Sequence, residues 1–322
     1  MEVIKTSACA KSILLGEHAV VYGIPAIAIP VSGLRSYVEI TEDTTLSGNI
    51  WIDAVNLQYA GFLKDFTLDH PIRKSVQIFY EALNKNLARN ISIRLYSEIS
   101  IASGLGSGAS ISIALFRALA QLENIQLSNE QVSELCFEIE KIHHGTPSGI
   151  DNTVIACEQP VWFEKGHSPT LLTIYHPFNL LIAHCGISAS TALAVSNVRK
   201  YREENPDEVQ NIFDQIRALV VNGKQTLDQG DAITLGALMT QNHYLLRQLT
   251  ISTPLLDQMV DTALQAGALG AKLSGSGMGG NIIILCASED TTQIQRSLLE
   301  IGIRHFYQTV LNPSEKTKDH IE

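Results

Sequence analysis

The sequence predicts a chain of two intimately joined domains that mixes strands and helices. Three observations carry this expectation. At 322 residues the chain is too long for one average domain. Residues 25–31 (PAIAIPV), 36–41 (SYVEIT) and 91–97 (ISIRLYS) read as strands, the last with Ile91, Ile93 and Leu95 alternating against polar neighbours. From residue 110 onward, apolar residues recur at helical spacing behind recognisable helix starts.

The elements follow in order. Ser110 to Leu122 is apolar nearly all round, which predicts a helix central to the core. Ser128 opens the next helix with a capping box to Gln131, and Val132, Leu135, Cys136 and Ile139 continue it at helical spacing. Residues 164–170 (EKGHSPT) are the most loop-like stretch between the halves, so a boundary is expected near 170–176, dividing 1–172 from 173–322. Asn205-Pro206 and Thr253-Pro254 each supply an N-cap and a proline in the first helical turn. Val209, Ile212, Phe213, Ile216 and Leu219 follow the first; Leu256, Met259, Val260 and Ala263 follow the second. A strand is expected from Ile282 to Leu285, and the charged tail after Pro313 is expected to fray.

Composition narrows the function. Hydrophobic residues make up 45% of the chain and charged residues 17%, enough apolar material for a large core. The net charge of −10 argues against a general binder of nucleic acid or anionic membrane. An anionic ligand must then be held by a local arrangement of donors. Cys9, Cys136, Cys157, Cys185 and Cys286 are an odd, scattered set without a C-x-x-C pair, and read as free thiols in a reducing compartment. No charged-then-apolar leader opens the chain and no apolar run approaches about 18 residues, so a soluble, cytoplasmic protein is expected.

Four stretches carry chemistry. Gly104-Leu105-Gly106-Ser107-Gly108 runs straight into the apolar helix. Its backbone N–H groups have no Cβ in the way, and the helix start adds unpaired N–H groups and the positive end of its dipole. Together they form a nest for phosphate oxygens, although a glycine loop alone also fits a turn before a core helix. Lys272 to Asn281 (KLSGSGMGGN) places four glycines within 275–280 before a buried strand, as where backbone presses on a ligand, on another loop or into a tight connection. In Glu140 to Asn152, the turn through Pro147 and Gly149 returns Asp151 into the protein. Glu140 and Asp151 are suited to divide cation binding from contact with a hydroxyl, while a solvated helix face and a cap are their ordinary alternatives. In Ala10 to Gly23, Lys11, Glu17 and His18 share one apolar stretch, a costly arrangement unless it binds something polar.

Taken in order, ILLGEHAVVYG (13–23), GLGSGAS (104–110), HGTPSGIDN (144–152) and KLSGSGMGGN (272–281) resemble the motifs of the GHMP kinase superfamily and, within it, those of the mevalonate kinases. The resemblance spans about Lys5 to Leu285. It implies an α+β, two-domain GHMP kinase fold: a ribosomal protein S5 domain 2-like N-terminal domain and a ferredoxin-like C-terminal domain, with ATP and acceptor meeting in the cleft. It implies Lys11 and Asp151 as the catalytic pair, and Ala102, Ser103, Gly104, Leu105, Gly106, Ser107 and Gly108 as the ATP phosphate loop. Glu140, eleven residues before Asp151, corresponds to the magnesium ligand, with Ser107 beside it. Glu17, His18, Ser148, Thr191 and Gly277 fall on the acceptor side. The implied reaction is Mg²⁺- and ATP-dependent phosphorylation of the 5-hydroxyl of mevalonate by a homodimer. The chain departs from the family at Gly108, where a metal-binding serine is usual, and at Ser100, where many members carry proline. Another small-molecule kinase of the superfamily (a 3-hydroxyl mevalonate kinase or a sugar kinase) and a non-catalytic ATP or metabolite sensor are the rival expectations. A sensor is free to lose Lys11 or Asp151; this chain keeps both.

Overall fold

Two long strands, β1 (Val3–Leu15) and β2 (Ala26–Glu42), open the chain and pair with each other. They belong to a computed structural model that describes residues 3–100, 103–144, 147–187 and 191–313, without the side chains of 143, 144, 191 and 192. Ala102 and the tail after Pro313 lie outside the described residues. The chain divides into two units, one of residues 1–11, 34–101 and 105–158, the other of 12–33, 102–104 and 159–322.

β2 joins the two strands expected at 25–31 and 36–41 into one. Ser32-Gly33 is extended, not a turn. A Cβ on Gly33 would sit 2.1 Å from the carbonyl oxygen of Gln308, so this glycine marks a close backbone approach.

In the first unit, β3 (Ile50–Ala54), β4 (Tyr59–Phe62), α1 (Pro71–Ala82) and β5 (Ile91–Ser97) follow β2. The strand order is β4-β3-β5-β2, with β3 parallel to β5 and the other pairs antiparallel. Ile91, Ile93 and Leu95 of β5 point inward as their alternation predicts. α2 (Ser107–Leu122) starts three residues before the expected Ser110, because Gly106 takes the left-handed conformation and lets the helix begin there. Ile113, Phe116 and Leu119 of α2 join Val76 and Phe79 of α1 in the core. α3 (Asn129–His144) follows with its capping box formed: Gln131 N–H donates to Ser128 Oγ at 3.2 Å, and Ser128 N–H to Gln131 Oε1 at 2.9 Å. α4 (Ile150–Cys157) closes the unit.

The 159–322 part of the second unit begins with β6 (Val161–Phe163) and β7 (Thr170–Leu171), a hairpin whose loop is the stretch 164–169. Then come β8 (Phe178–His184), α5 (Thr191–Glu204), α6 (Pro206–Gln229), α7 (Ala232–Gln248), α8 (Pro254–Gln265), β9 (Gly270–Ser274), β10 (Asn281–Cys286), α9 (Thr292–Glu300) and β11 (His305–Leu311). The antiparallel sheet runs β11-β8-β10-β9, and β10 is buried along its whole length. Thr253 caps α8 as expected, its hydroxyl accepting from Leu256 N–H at 3.3 Å. Asn205 does not cap α6. It is the single residue between α5 and α6, and its N–H and side-chain amide both donate to the Tyr201 carbonyl to close α5.

Candidate active site

In the first unit the start of α2 organises the site. Gly106, at φ +76°, is the residue before the helix and has no side chain to cap the first N–H groups. A Cβ there would lie 3.0 Å from both Lys11 Cγ and Ile155 Cδ1, so the lysine stem runs tight beneath the loop. Lys11 N–H donates to the Leu105 carbonyl at 3.0 Å, tying β1 to the same loop. The Lys11 side chain is buried, and its Nζ stands 3.1 Å from Asp151 Oδ1 in the first turn of α4. Asp151 keeps 30% of its side-chain surface exposed, so the carboxylate is held by a buried cation yet open to a ligand.

Glu140 lies near the end of α3 and is buried, not on a solvated face. It reaches the α2 start: a Cβ on Gly108 would meet Glu140 Oε1 at 3.9 Å. Burial pushes the Cys136 thiol well above its usual range, and the charges of Glu140 and Asp151 add to this. Ser107 is the first residue of α2, with its hydroxyl at the helix's positive end. Ser148 is exposed, and its hydroxyl accepts from Ile150 N–H at 3.3 Å. Hard oxygen donors beside a helix N-terminus suit Mg²⁺, which takes one or two carboxylates and keeps phosphate oxygens and water as its remaining ligands.

In the second unit Glu17 and His18 are both buried, between β1 and β2. His18 has φ 59°, uncommon for a non-glycine residue, and its Nε2 lies 2.9 Å from the Ser276 carbonyl. A carbonyl only accepts, so Nε2 carries the proton. Burial pushes the His18 pKa down to about 4, against the pull of that hydrogen bond. The ring is neutral at pH 7. The glycines of 275–280 are close-packed: Gly277, at φ +73°, would place a Cβ 2.3 Å from the Ile251 carbonyl, and a Cβ on Gly104 would meet Gly275 Cα at 3.2 Å. Asn281 Nδ2 donates to the Ser103 carbonyl at 2.7 Å. The side chain of Thr191, at the start of α5, lies outside the described residues.

The family model described as GHMP kinases N terminal domain matches residues 72–159, and that described as GHMP kinases C terminal matches 224–303. A mevalonate kinase of Thermococcus gammatolerans is 35% identical over 318 residues, covering 92% of each chain. One of Pyrococcus horikoshii is 35% identical over 300 residues, covering 87% of this chain and 88% of the relative. The chain belongs to the mevalonate kinase family of the GHMP kinases. Among solved structures, L. major mevalonate kinase in complex with R-mevalonate superposes with a TM-score of 0.84 at 29% identity, covering 96% of each chain. Methanococcus jannaschii mevalonate kinase gives 0.83 at 27% identity, covering 97% of this chain and 98% of that one.

This mevalonate kinase family member has three buried polar residues that sequence reasoning left without a role. Lys272, fully buried on β9, pairs with Glu17; Asn242 of α7 donates to Glu17 Oε2 at 3.3 Å. His243, next along α7, accepts from Leu273 N–H at 3.3 Å through Nδ1 and faces Asp257 Oδ1 at 3.2 Å through Nε2. The signal available for Lys272 was its place at the head of the glycine-rich run; nothing local marks Asn242 or His243. Among the described residues no helix is long and apolar enough to cross a membrane.

Proposed function

We propose that the protein transfers the γ-phosphoryl group of ATP to the 5-hydroxyl of mevalonate, with Asp151 as general base and Lys11 as its charge partner. The observation that carries this is the 3.1 Å Lys11–Asp151 pair, one partner buried and the other open, beside the uncapped start of α2. Phosphoryl transfer passes through a loose transition state, so positioning and charge stabilisation supply most of the acceleration. The N–H groups of the glycine loop and of the first α2 turn receive the phosphate oxygens. The Lys11 ammonium, paired with Asp151, stabilises the alkoxide as it forms. Asp151 takes the hydroxyl proton as the oxygen attacks phosphorus.

Glu140 fits Mg²⁺ as a carboxylate ligand, and Ser107 supplies a neutral oxygen nearby. Bound there, the ion neutralises phosphate charge. With Gly108 in place of a serine, Glu140 is the carboxylate that α3 offers beside the α2 start. On the acceptor side we place His18, Ser148, Thr191 and Gly277 by the resemblance, and Glu17 behind His18, because its carboxylate is 1% exposed. Cytoplasmic location, a homodimer and a domain division near 172/173 are parts of the same proposal.

Initial rates of ADP release with mevalonate, phosphomevalonate, homoserine and galactose test the assignment. Mevalonate should exceed the others in kcat/KM by at least about a hundredfold, the discrimination a site gains by pairing specific polar groups of one substrate. Equal or higher turnover of another acceptor overturns it, as does ATP and mevalonate binding without turnover, the behaviour of a sensor.

A further inference from the structure

Glu17, Asn242 and Lys272 are far apart in the chain and meet in the second unit with at most 1% of each residue exposed. Lys272 Nζ donates to Glu17 Oε1, to the Leu273 carbonyl at 2.7 Å and to the Ile13 carbonyl at 3.5 Å. Three acceptors match the three protons of an ammonium. The other carboxylate oxygen, Glu17 Oε2, accepts from Asn242 Nδ2, and Asn242 Oδ1 accepts from Gly16 N–H at 3.4 Å. The network therefore grips the chain on both sides of the Gly16–Glu17 peptide, and both oxygens of Glu17 are engaged within the protein.

The residue so held in place is His18. The turn is tightly determined on the other side too: Gly16 has φ +100°, and a Cβ there would sit 2.6 Å from the Pro25 carbonyl. Burial opposes both charges, raising the Glu17 pKa and lowering that of Lys272, and each partner only offsets part of that effect on the other. A buried ion pair is a weak source of net stability, whereas removing one partner leaves a costly unpaired charge.

We infer that Glu17 is a positioning residue that never touches the acceptor: with Lys272 and Asn242 it clamps the turn that presents His18 in its left-handed, Nε2-protonated state. The inference rests on the proposed reaction for the identity of the acceptor, and on geometry for the clamp. It adds Lys272 and Asn242 to the residues on which acceptor binding depends.

A charge-pair cycle on the full chain tests it. Glu17→Gln and Lys272→Met, each leaving one buried charge unpaired, should raise KM for mevalonate at least about tenfold with KM for ATP within about threefold. The double variant should lose no more than the worse single variant, because either change alone already breaks the clamp. If Glu17→Gln loses as much in the Lys272→Met background as in wild type, Glu17 acts on the acceptor directly and the inference fails. Should either single variant not fold, Asn242→Ala decides, since it keeps the ion pair and cuts the bonds of Asn242 to Glu17 Oε2 and to Gly16 N–H. A KM for mevalonate raised about fivefold or more at constant KM for ATP supports the clamp; a wild-type KM overturns it. Ring ¹⁵N shifts of His18 give a readout free of turnover: an Nε2–H tautomer in wild type, and a tautomer mixture in Asn242→Ala. A wild-type-like signal in that variant also overturns the clamp. Preference of the wild type for a different acceptor overturns the proposed reaction only, and the cycle is then read with that acceptor.

Discussion

Gly106 and Gly108 stand two residues apart in one loop, and their environments predict opposite responses to the same methyl group. Gly106→Ala puts a side chain on a backbone at φ +76°, where an L-residue is strained by about 1–2 kcal/mol. It also drives a Cβ to 3.0 Å from Lys11 Cγ and Ile155 Cδ1, an overpacking contact worth about 1–3 kcal/mol. The two add to about 2–5 kcal/mol, which is a fall in Tm of about 3–7 °C in a protein of this size. The lysine stem is the softer neighbour, so part of the strain is relieved by moving Lys11 relative to Asp151. Displacements of this kind cost about tenfold to a hundredfold in rate. Gly108 lies inside α2 at negative φ, and its Cβ would make ordinary contact with Glu140 Oε1 at 3.9 Å. Gly108→Ala removes glycine's excess backbone entropy and should raise stability by up to about 1 kcal/mol. Thermal melts and steady-state kinetics in both substrates provide the assay. Gly106→Ala should lose at least about ten times more kcat than Gly108→Ala. Equal losses, or a Gly106→Ala enzyme as stable as wild type, would refute the packing argument.

Three further outcomes follow. Asp151→Asn should lower kcat by about 10²–10⁴-fold while KM for ATP stays within about threefold; a kcat within a few-fold of wild type removes Asp151 as the base. In Mg²⁺ titrations of activity, Glu140→Gln should shift the metal requirement strongly and Ser107→Ala less, because only the first removes a charged ligand; the reverse order contradicts the metal assignment. The pKa values of His18 and His243 are both pushed down to about 4, first by burial, against the pulls of the Ser276 carbonyl and of Asp257 respectively. The unfolded chain protonates near 6.5, so between about 6.5 and 4 it binds more protons than the folded state and stability falls as pH falls, by up to about 3 kcal/mol per histidine. His18→Gln and His243→Gln should each flatten the loss of Tm across that window, and an unchanged slope in either variant contradicts its assignment as a buried neutral ring.

Where a signal is local, the sequence made it legible. The capping box at Ser128 and Gln131, the Thr253 cap and the β5 alternation are all decided by residues within a few positions of one another. The Lys11–Asp151 pair was implied by the resemblance of the motifs to the family; the residues alone marked a turn with Pro147 and Gly149 that returns Asp151 inward and an apolar stretch around Lys11. Errors fell where a residue's fate depends on distant chain. Gly33 looks like a break until the Gln308 carbonyl occupies the place of its Cβ. Asn205 has the chemistry of an N-cap, but the end of α5, one residue away, takes its side chain. Glu140 sits just off the apolar stripe of its helix, and its burial depends on α2 packing over it. For Glu17, a costly charge in an apolar stretch was visible, whereas its partner, 255 positions later, leaves no periodic trace.

The central claim is that the phosphoryl group goes to the 5-oxygen of mevalonate, and the most direct test is the connectivity of the product. A two-dimensional ³¹P–¹H correlation spectrum of the reaction of enzyme, ATP, Mg²⁺ and mevalonate should show the new phosphorus coupled to the methylene protons at carbon 5. A product phosphorus without coupling to those protons, as on the tertiary 3-oxygen, would contradict the account, and so would the absence of any new phosphate ester.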